Sequence, residues 1–156
     1  MIAIDIPGGT ALRLEHLVLD YNGTLACDGM LLPGVRERLQ RLAGSIRIHV
    51  VTADTFGLAR AQLAGLPCEL RILERAGQAR AKLDYVAQLG AEGTACVGNG
   101  RNDALMMKAA GLGIALIQAE GAAPDTLSAA DVVAPGIEHA LDLLLHAQRL
   151  VATLRT

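Results

Sequence analysis

Apolar residues along this chain fall into two alternating patterns, short runs rich in branched side chains and stretches of helical spacing. Residues 2–6 alternate apolar with small or polar side chains until Pro7-Gly8-Gly9 interrupts them, which predicts a short edge strand and a turn, with residues 12–15 pairing back. The run from His16 to Asp20 predicts a buried strand that stops abruptly at an acid. Residues 25–34 read as a loop carrying three adjacent large apolar side chains, Met30, Leu31 and Leu32. Val35, Leu39 and Leu42 then mark one face of a helix, and residues 46–51 form a β-branched strand ending at Thr52. Thr55 is placed to cap a helix over residues 56–64, which Gly65 ends. A strand over 68–73, a long helix over 75–89 closed by Gly90, a short strand over 94–97 and a helix over 102–110 follow. The chain closes with strands over 113–117 and 131–133 and one helix over 136–154, burying Ile137, Leu141, Leu144, Leu145 and Leu150.

Strands alternating with helices at this spacing predict right-handed crossovers and an α/β, three-layer, mostly parallel sheet of Rossmann-like design, with residues 1–156 as one domain. The strand ending at Asp20 takes the centre, so Asp20, Thr52 and the 99–103 turn all follow strand C-termini and share one crevice.

Composition narrows the setting. A chain of 156 residues can bury a real core. Its only aromatics are Tyr21, Phe56 and Tyr85, so Leu, Val, Ile and Ala must build that core. The positive mean hydropathy points to more apolar surface than a monomer comfortably exposes, and a homo-oligomer is expected. A net charge of −2 with scattered arginines gives no basic stripe, which argues against nucleic acid as a partner. Cys27, Cys68 and Cys96 show no metal-ligand spacing and read as reduced thiols. With no basic segment before an apolar run, and no run near the roughly 20 residues that span a bilayer, the expectation is a cytoplasmic protein without a membrane partner.

Asp20 is the candidate nucleophile, because a carboxylate at the C-terminal end of an apolar strand lies where open α/β sheets bind ligands. Gly23 lets the backbone approach a bound anion, and Thr24 adds a hydroxyl at the same edge. Alone, the stretch reads equally well as a strand-to-turn junction. It does not stand alone. Asp20-Tyr21-Asn22-Gly23-Thr24, Val50-Val51-Thr52-Ala53-Asp54, Lys82 and Val97-Gly98-Asn99-Gly100-Arg101-Asn102-Asp103 resemble, in order, the four motifs of the haloacid dehalogenase superfamily. That family includes magnesium-dependent aspartyl phosphatases and the phosphorylation domain of P-type ATPases. Ala110 to Ala115 and Ala130 to Val133 also look like its closing strands, so the similarity spans nearly the whole chain.

The resemblance implies an Mg²⁺-dependent phosphohydrolase working through an aspartyl-phosphate at Asp20, with Thr52 and Lys82 as its other catalytic groups. Asp20, Asn22, Gly23, Thr52, Ala53 and Lys82 would surround the phosphate. Asp20, the backbone carbonyl of Asn22, Asn99 and Asp103 would hold the metal, Asp103 directly or through water. The substrate expected is a small phosphorylated molecule or a phosphoprotein. Two positions depart from the family pattern. Asn99 replaces a usual Asp, which weakens a site for a cation that prefers carboxylates. Asn22 replaces the usual second Asp, the general acid, whose loss is worth about 10² to 10⁴ in rate. A slow enzyme resembling soluble P-type ATPase-like phosphatases is the first expectation; a catalytically degenerate regulatory or interaction module is the alternative. A response-regulator receiver also uses Asp, Thr and Lys, but it carries its phosphorylated Asp on a later strand.

About thirty residues separate Asp20 from Thr52, and about as many separate Thr52 from Lys82, which leaves no room for a cap domain. Capless relatives close their sites with a neighbouring subunit or act on larger substrates, and Met30 to Leu32 are the expected contact. Asp54 reads as a helix-start residue, His139 and His146 as surface residues, and Asp28 as either crevice lining or loop solvation.

Overall fold

The computed structural model describes all 156 residues. The chain begins with β1 (Ile2–Ile4) and β2 (Leu12–Leu14), which pair antiparallel with each other alone. The expected edge strand is therefore not part of the main sheet. Its pairing ends at the Pro7 break, and Ile4, Leu12 and Leu14 are buried as an apolar plug.

The main sheet contains six parallel strands: β3 (His16–Leu19), β6 (Arg47–Thr52), β7 (Glu69–Ile72), β8 (Thr94–Gly98), β9 (Leu112–Leu116) and β10 (Val132–Ala134). Their order is β10-β9-β8-β3-β6-β7, so β3 lies at the centre and pairs with both β6 and β8. Between β3 and β6, a hairpin of β4 (Ala26–Cys27) and β5 (Met30–Leu31) occupies what the pattern predicts as a loop. Its two-residue turn is Asp28-Gly29, both at positive φ (50° and 79°), the Asp-Gly combination that suits a tight hairpin.

Helices α1 (Val35–Leu42), α2 (Ala59–Gln62), α3 (Gln78–Leu89), α4 (Ala104–Ala109), α5 (Pro124–Ala129), α6 (Ile137–Leu145) and α7 (Gln148–Leu154) complete the outer layers. Strand parity divides the interior in two. Leu17, Leu19, Ile48, Val50, Ala95 and Val97 pack into a core shared with α1, α6 and α7, whereas Val18, Val51 and Cys96 face Val86 of α3 and Met106 and Met107 of α4. Side chains alternate across a strand, so Asp20 continues the Val18 side and is directed toward α3.

Three helices differ from expectation. The helix expected over 56–64 shrinks to one turn, with no hydrogen bond from Thr55; Asp54 supplies the start, its carboxylate accepting from the Ala59 N–H at 3.0 Å. The closing helix breaks at His146 (φ −129°, ψ 69°). On an unbroken helix Leu150 would swing away from the face of Leu141 and Leu144, and the break lets it bury completely. The short α5 carries no apolar period and is signalled only by Pro124 at its first turn. His139 and His146 are exposed, as expected. No helix is long and apolar enough to cross a membrane.

The buried side of the sheet also holds a polar chain that no sequence spacing reveals. His16 Nδ1 and His49 Nε2, on adjacent strands, lie 3.0 Å apart, and His49 Nδ1 lies 2.9 Å from the Tyr85 hydroxyl of α3. Burial holds the His49 pKa below its usual 6.5, reinforced by His16 and Arg47 and opposed by Glu69. The folded state thus favours neutral His49, and its stability is complete above pH 6.5 and lost as pH falls below it. We expect the melting temperature to drop between about pH 7.5 and 5.5, and His49→Gln to flatten that drop. An unchanged slope in the variant would assign the acid sensitivity to other groups.

Candidate active site

The C-terminal ends of β3, β6 and β8 open onto a crevice of about 250 Å³ lined by Asp20, Asn22, Thr52, Ala53, Thr55, Gln78, Asn99, Gly100 and Asn102. Asp20 follows β3, and its backbone N–H donates to Val97 O of β8 at 3.0 Å, which fixes the strand end against its neighbour. Beyond it the chain turns tightly: Thr24 and Ala26 N–H groups donate back to Tyr21 O, and the Tyr21 hydroxyl donates to Gly29 O at 2.8 Å. The β4–β5 hairpin is thereby tied to the residue after the acid. Phe56 and Leu58 sit close to Gly29 from the other side, and with the exposed Met30 they form an apolar rim beside the crevice.

Lys82 of α3 is fully buried and reaches across the sheet end to two carboxylates, Asp20 Oδ1 at 2.7 Å and Asp103 Oδ1 at 2.6 Å. Burial alone would lower its pKa, but the two carboxylates outweigh that and raise it, so the ammonium stays charged. Asp20 responds in the opposite sense. Burial pushes its carboxyl up to about 7, Asp103 adds repulsion, and Lys82 pulls it back.

Asp103 is also completely buried, and its second oxygen accepts the N–H groups of Asn99 (3.0 Å) and Gly100 (2.9 Å). The structure thus brings Asp103 beside Lys82 but turns both its oxygens into the protein, and it does not line the crevice. One Asp103 oxygen is held by the ammonium and the other by the turn that carries Asn99, so Asp103 lies behind the crevice rather than on its wall.

Asn99 does face the site. Its Nδ2 donates to Gly121 O at 3.0 Å, which sets the amide so that Oδ1 points to the Thr24 hydroxyl at 3.4 Å. The same hydroxyl is 3.3 Å from Asp20 Oδ2. Three oxygens therefore meet with a single hydroxyl proton among them. Asn22 Oδ1 adds a buried acceptor without any donor. No group of three His, Cys, Asp or Glu side chains converges anywhere in the chain.

Thr52 is buried at the end of β6, and its Oγ1 accepts the Asp54 N–H at 2.9 Å. That leaves the hydroxyl proton free to donate into the crevice. Ala53 and Gly23 lie at the two turn backbones, and a Cβ at Gly23 would overlap the Asn99 amide. Sequence spacing misses several supports. The Gln118 amide donates to the carbonyls of Gly23 (2.9 Å) and Thr24 (2.7 Å), locking the turn from a loop more than ninety residues away. Asn102 donates to Gln78 at 2.8 Å, placing a pair of amides on the crevice wall.

Removing the ammonium would strand two buried carboxylates, which costs about 3–5 kcal/mol where one partner of a buried pair is deleted. Lys82→Met is expected to lose stability of that order in urea unfolding at neutral pH, with partial recovery when Asp103→Asn is added. A loss below about 1 kcal/mol would mean that water replaces the amine.

No family model matches the chain. An uncharacterised protein of Methanocaldococcus jannaschii is 51% identical over 59 residues, covering 38% of this chain and 63% of that protein. A phosphoserine phosphatase of Mycobacterium tuberculosis is 35% identical over 89 residues, covering 56% of this chain and 22% of that one. The chain thus spans less than two thirds of the length of either relative. Among solved structures, the cobalt-bound deoxy-D-mannose-octulosonate 8-phosphate phosphatase of Haemophilus influenzae superposes with a TM-score of 0.72 at 21% identity, covering 92% of this chain and 94% of that one. The 3-deoxy-D-manno-octulosonate 8-phosphate phosphatase of Moraxella catarrhalis, in complex with magnesium, phosphate and a KDO molecule, gives 0.66 at 17% identity over 92% and 94%. A zinc-transporting PIB-type ATPase gives 0.62 at 26% identity, covering 79% of this chain but 20% of that one. The chain therefore has a haloacid dehalogenase-like fold, in a form without a cap domain.

Proposed function

We propose that the protein is a magnesium-dependent phosphohydrolase that passes through an aspartyl-phosphate at Asp20 and acts slowly on a small phosphorylated molecule. The observation that carries this reading is the Asp20 carboxylate, held at a strand end with one oxygen on a buried ammonium and the other among acceptor atoms.

The residues present suit a divalent cation. Asp20 Oδ2, Thr24 Oγ1 and Asn99 Oδ1 are close together with one proton among them, and hard oxygen donors of this kind fit Mg²⁺, which keeps several waters of its own. The proposed ligands are Asp20 Oδ2, the Asn22 carbonyl and Asn99 Oδ1, with Asp103 acting behind them as the partner of Lys82 and the anchor of the Asn99 turn. When bound, the ion would neutralise phosphoryl charge and favour ionised Asp20 at neutral pH.

Asp20 Oδ1 attacks phosphorus as the bond to the leaving oxygen breaks, and the phosphoryl group passes to the carboxylate. Thr52 donates its free hydroxyl proton to a phosphoryl oxygen, the backbone N–H of Ala53 donates beside it, and Lys82 offsets charge from behind. Water then attacks phosphorus, releasing phosphate and restoring Asp20. Asn22 cannot deliver a proton to the leaving oxygen or remove one from that water, so both steps lack general acid–base help. The octulosonate phosphatases and the phosphoserine phosphatase among the similar proteins support a small phosphate ester as substrate. The apolar rim of Met30 and Phe56 supports a second copy of the chain as a neighbour.

Asp20→Asn should abolish Mg²⁺-dependent phosphate release from an aryl phosphate; activity that survives removes Asp20 from the mechanism. Asn22→Asp should raise turnover by about 10² or more, the usual worth of a positioned acid. An unchanged rate would place the limiting step elsewhere. A second reading, a catalytically degenerate regulatory or interaction module that keeps the anion pocket, is favoured by the neutral amides at Asn22 and Asn99. It predicts joint binding of Mg²⁺ and beryllofluoride by a protein that releases no phosphate.

A further inference from the structure

We infer that Glu120 supplies the carboxylate that position 99 lacks, supporting the bound cation from the loop after β9. The inference rests on the metal reading above and concerns a residue outside the four motif stretches.

The loop over residues 118–123 is strapped to the nucleophile turn at several points. Gln118 Nε2 donates to the Gly23 and Thr24 carbonyls while its Oε1 accepts the Ile137 N–H at 3.0 Å. Gly121 O accepts the Asn99 side-chain amide, and the Ala123 N–H donates to Asn99 O at 2.8 Å. Glu120 sits in the middle of this strap. Its Oε2 and both atoms of the Asn99 amide approach the same point above the Gly23 Cα, where a Cβ would overlap all three. Glycine at position 23 therefore lets a carboxylate and the neutral ligand candidate sit side by side.

Glu120 forms no hydrogen bond and no ion pair within the chain, and the charged group that bears on it is Asp28 at the hairpin turn, of the same sign. Glu120 is exposed at the crevice mouth, its carboxylate beside the Asn99 amide and facing an acid of the same sign, so a cation bound beside Asn99 is attracted from this side as well. Lys82 cannot serve, because its ammonium lies on the other side of Asp20 between two acids. A divalent ion beside Asp20 Oδ2 and Asn99 Oδ1 fits, with Glu120 accepting from its coordinated water. Groups in this supporting position orient the ligands and raise affinity without being ligands themselves. The charge lost at Asn99 is thereby restored one position outward in space and 21 positions later in the chain.

Mn²⁺ alone is a suitable probe, read by the loss of its free-ion electron paramagnetic resonance signal on titration with the full-length protein. Glu120→Gln should weaken the dissociation constant by about tenfold or more, within the range found for supporting groups at metal sites. Adding Asn99→Asp to that variant should return affinity to within about threefold of the wild type, the coupling expected of two groups that share one ion. Asp28→Asn should change it less than Glu120→Gln does. The metal-free melting temperature of each variant reports on folding separately. If Glu120→Gln binds Mn²⁺ as the wild type does, or if Asn99→Asp fails to rescue it, the assignment of Glu120 is overturned while the phosphohydrolase reading stands. If the wild type itself binds no Mn²⁺, both fall together.

Discussion

A single ammonium group, sealed from water, sets the geometry on which the site depends. Lys82 leans across the sheet end to hold the acid after β3 and the acid after β8, so three elements distant in sequence share one point of contact. Such buried pairs seldom add much net stability over apolar packing of equal volume, because both charges lose their hydration. What this one contributes is placement. Two carboxylates against one amine also leave the cluster one negative charge in excess when Asp20 is ionised. That excess, together with burial, underlies the high pKa of Asp20 and the demand for a second positive charge on its open side.

Around that charged knot the crevice is built of neutral amides. Asn22, Asn99, Asn102 and Gln78 line it, where acids at the first two positions would make the corner strongly anionic. Amides can orient a phosphate and accept a water, but they neither move a proton nor bind a divalent ion tightly. The proposed reaction therefore keeps its nucleophile and its oxyanion donors while its proton transfers go unassisted.

Much of this was legible in the residues. The alternation of Leu17, Val18 and Leu19 specifies a strand buried on both faces, and the order of the motifs brings Asp20, Thr52, Lys82 and Asn99 to one edge of the sheet. Asp28-Gly29 carried a hairpin signal that a run of apolar neighbours masks as a loop. Other features have no local signature. His16 and His49 meet only because β3 pairs with β6, and neither Gln118 nor Glu120 belongs to a motif; both act through a loop whose path is set by packing. Asp103 was recognisable as part of the turn, but which way its oxygens face depends on where α3 places Lys82.

The division of β3 between two layers has an evolutionary corollary. Leu17 and Leu19 are seated in one hydrophobic layer and Val18 in the other, and Asp20 takes its direction from that phase. Inserting or deleting one residue between His16 and Asp20 would exchange the two sets, swinging the acid into an aliphatic interior and a leucine into the mouth of the crevice. Length in this segment is thus frozen more rigidly than identity: Val, Ile and Leu can trade places along it, but the count from the strand's start to its acid cannot drift.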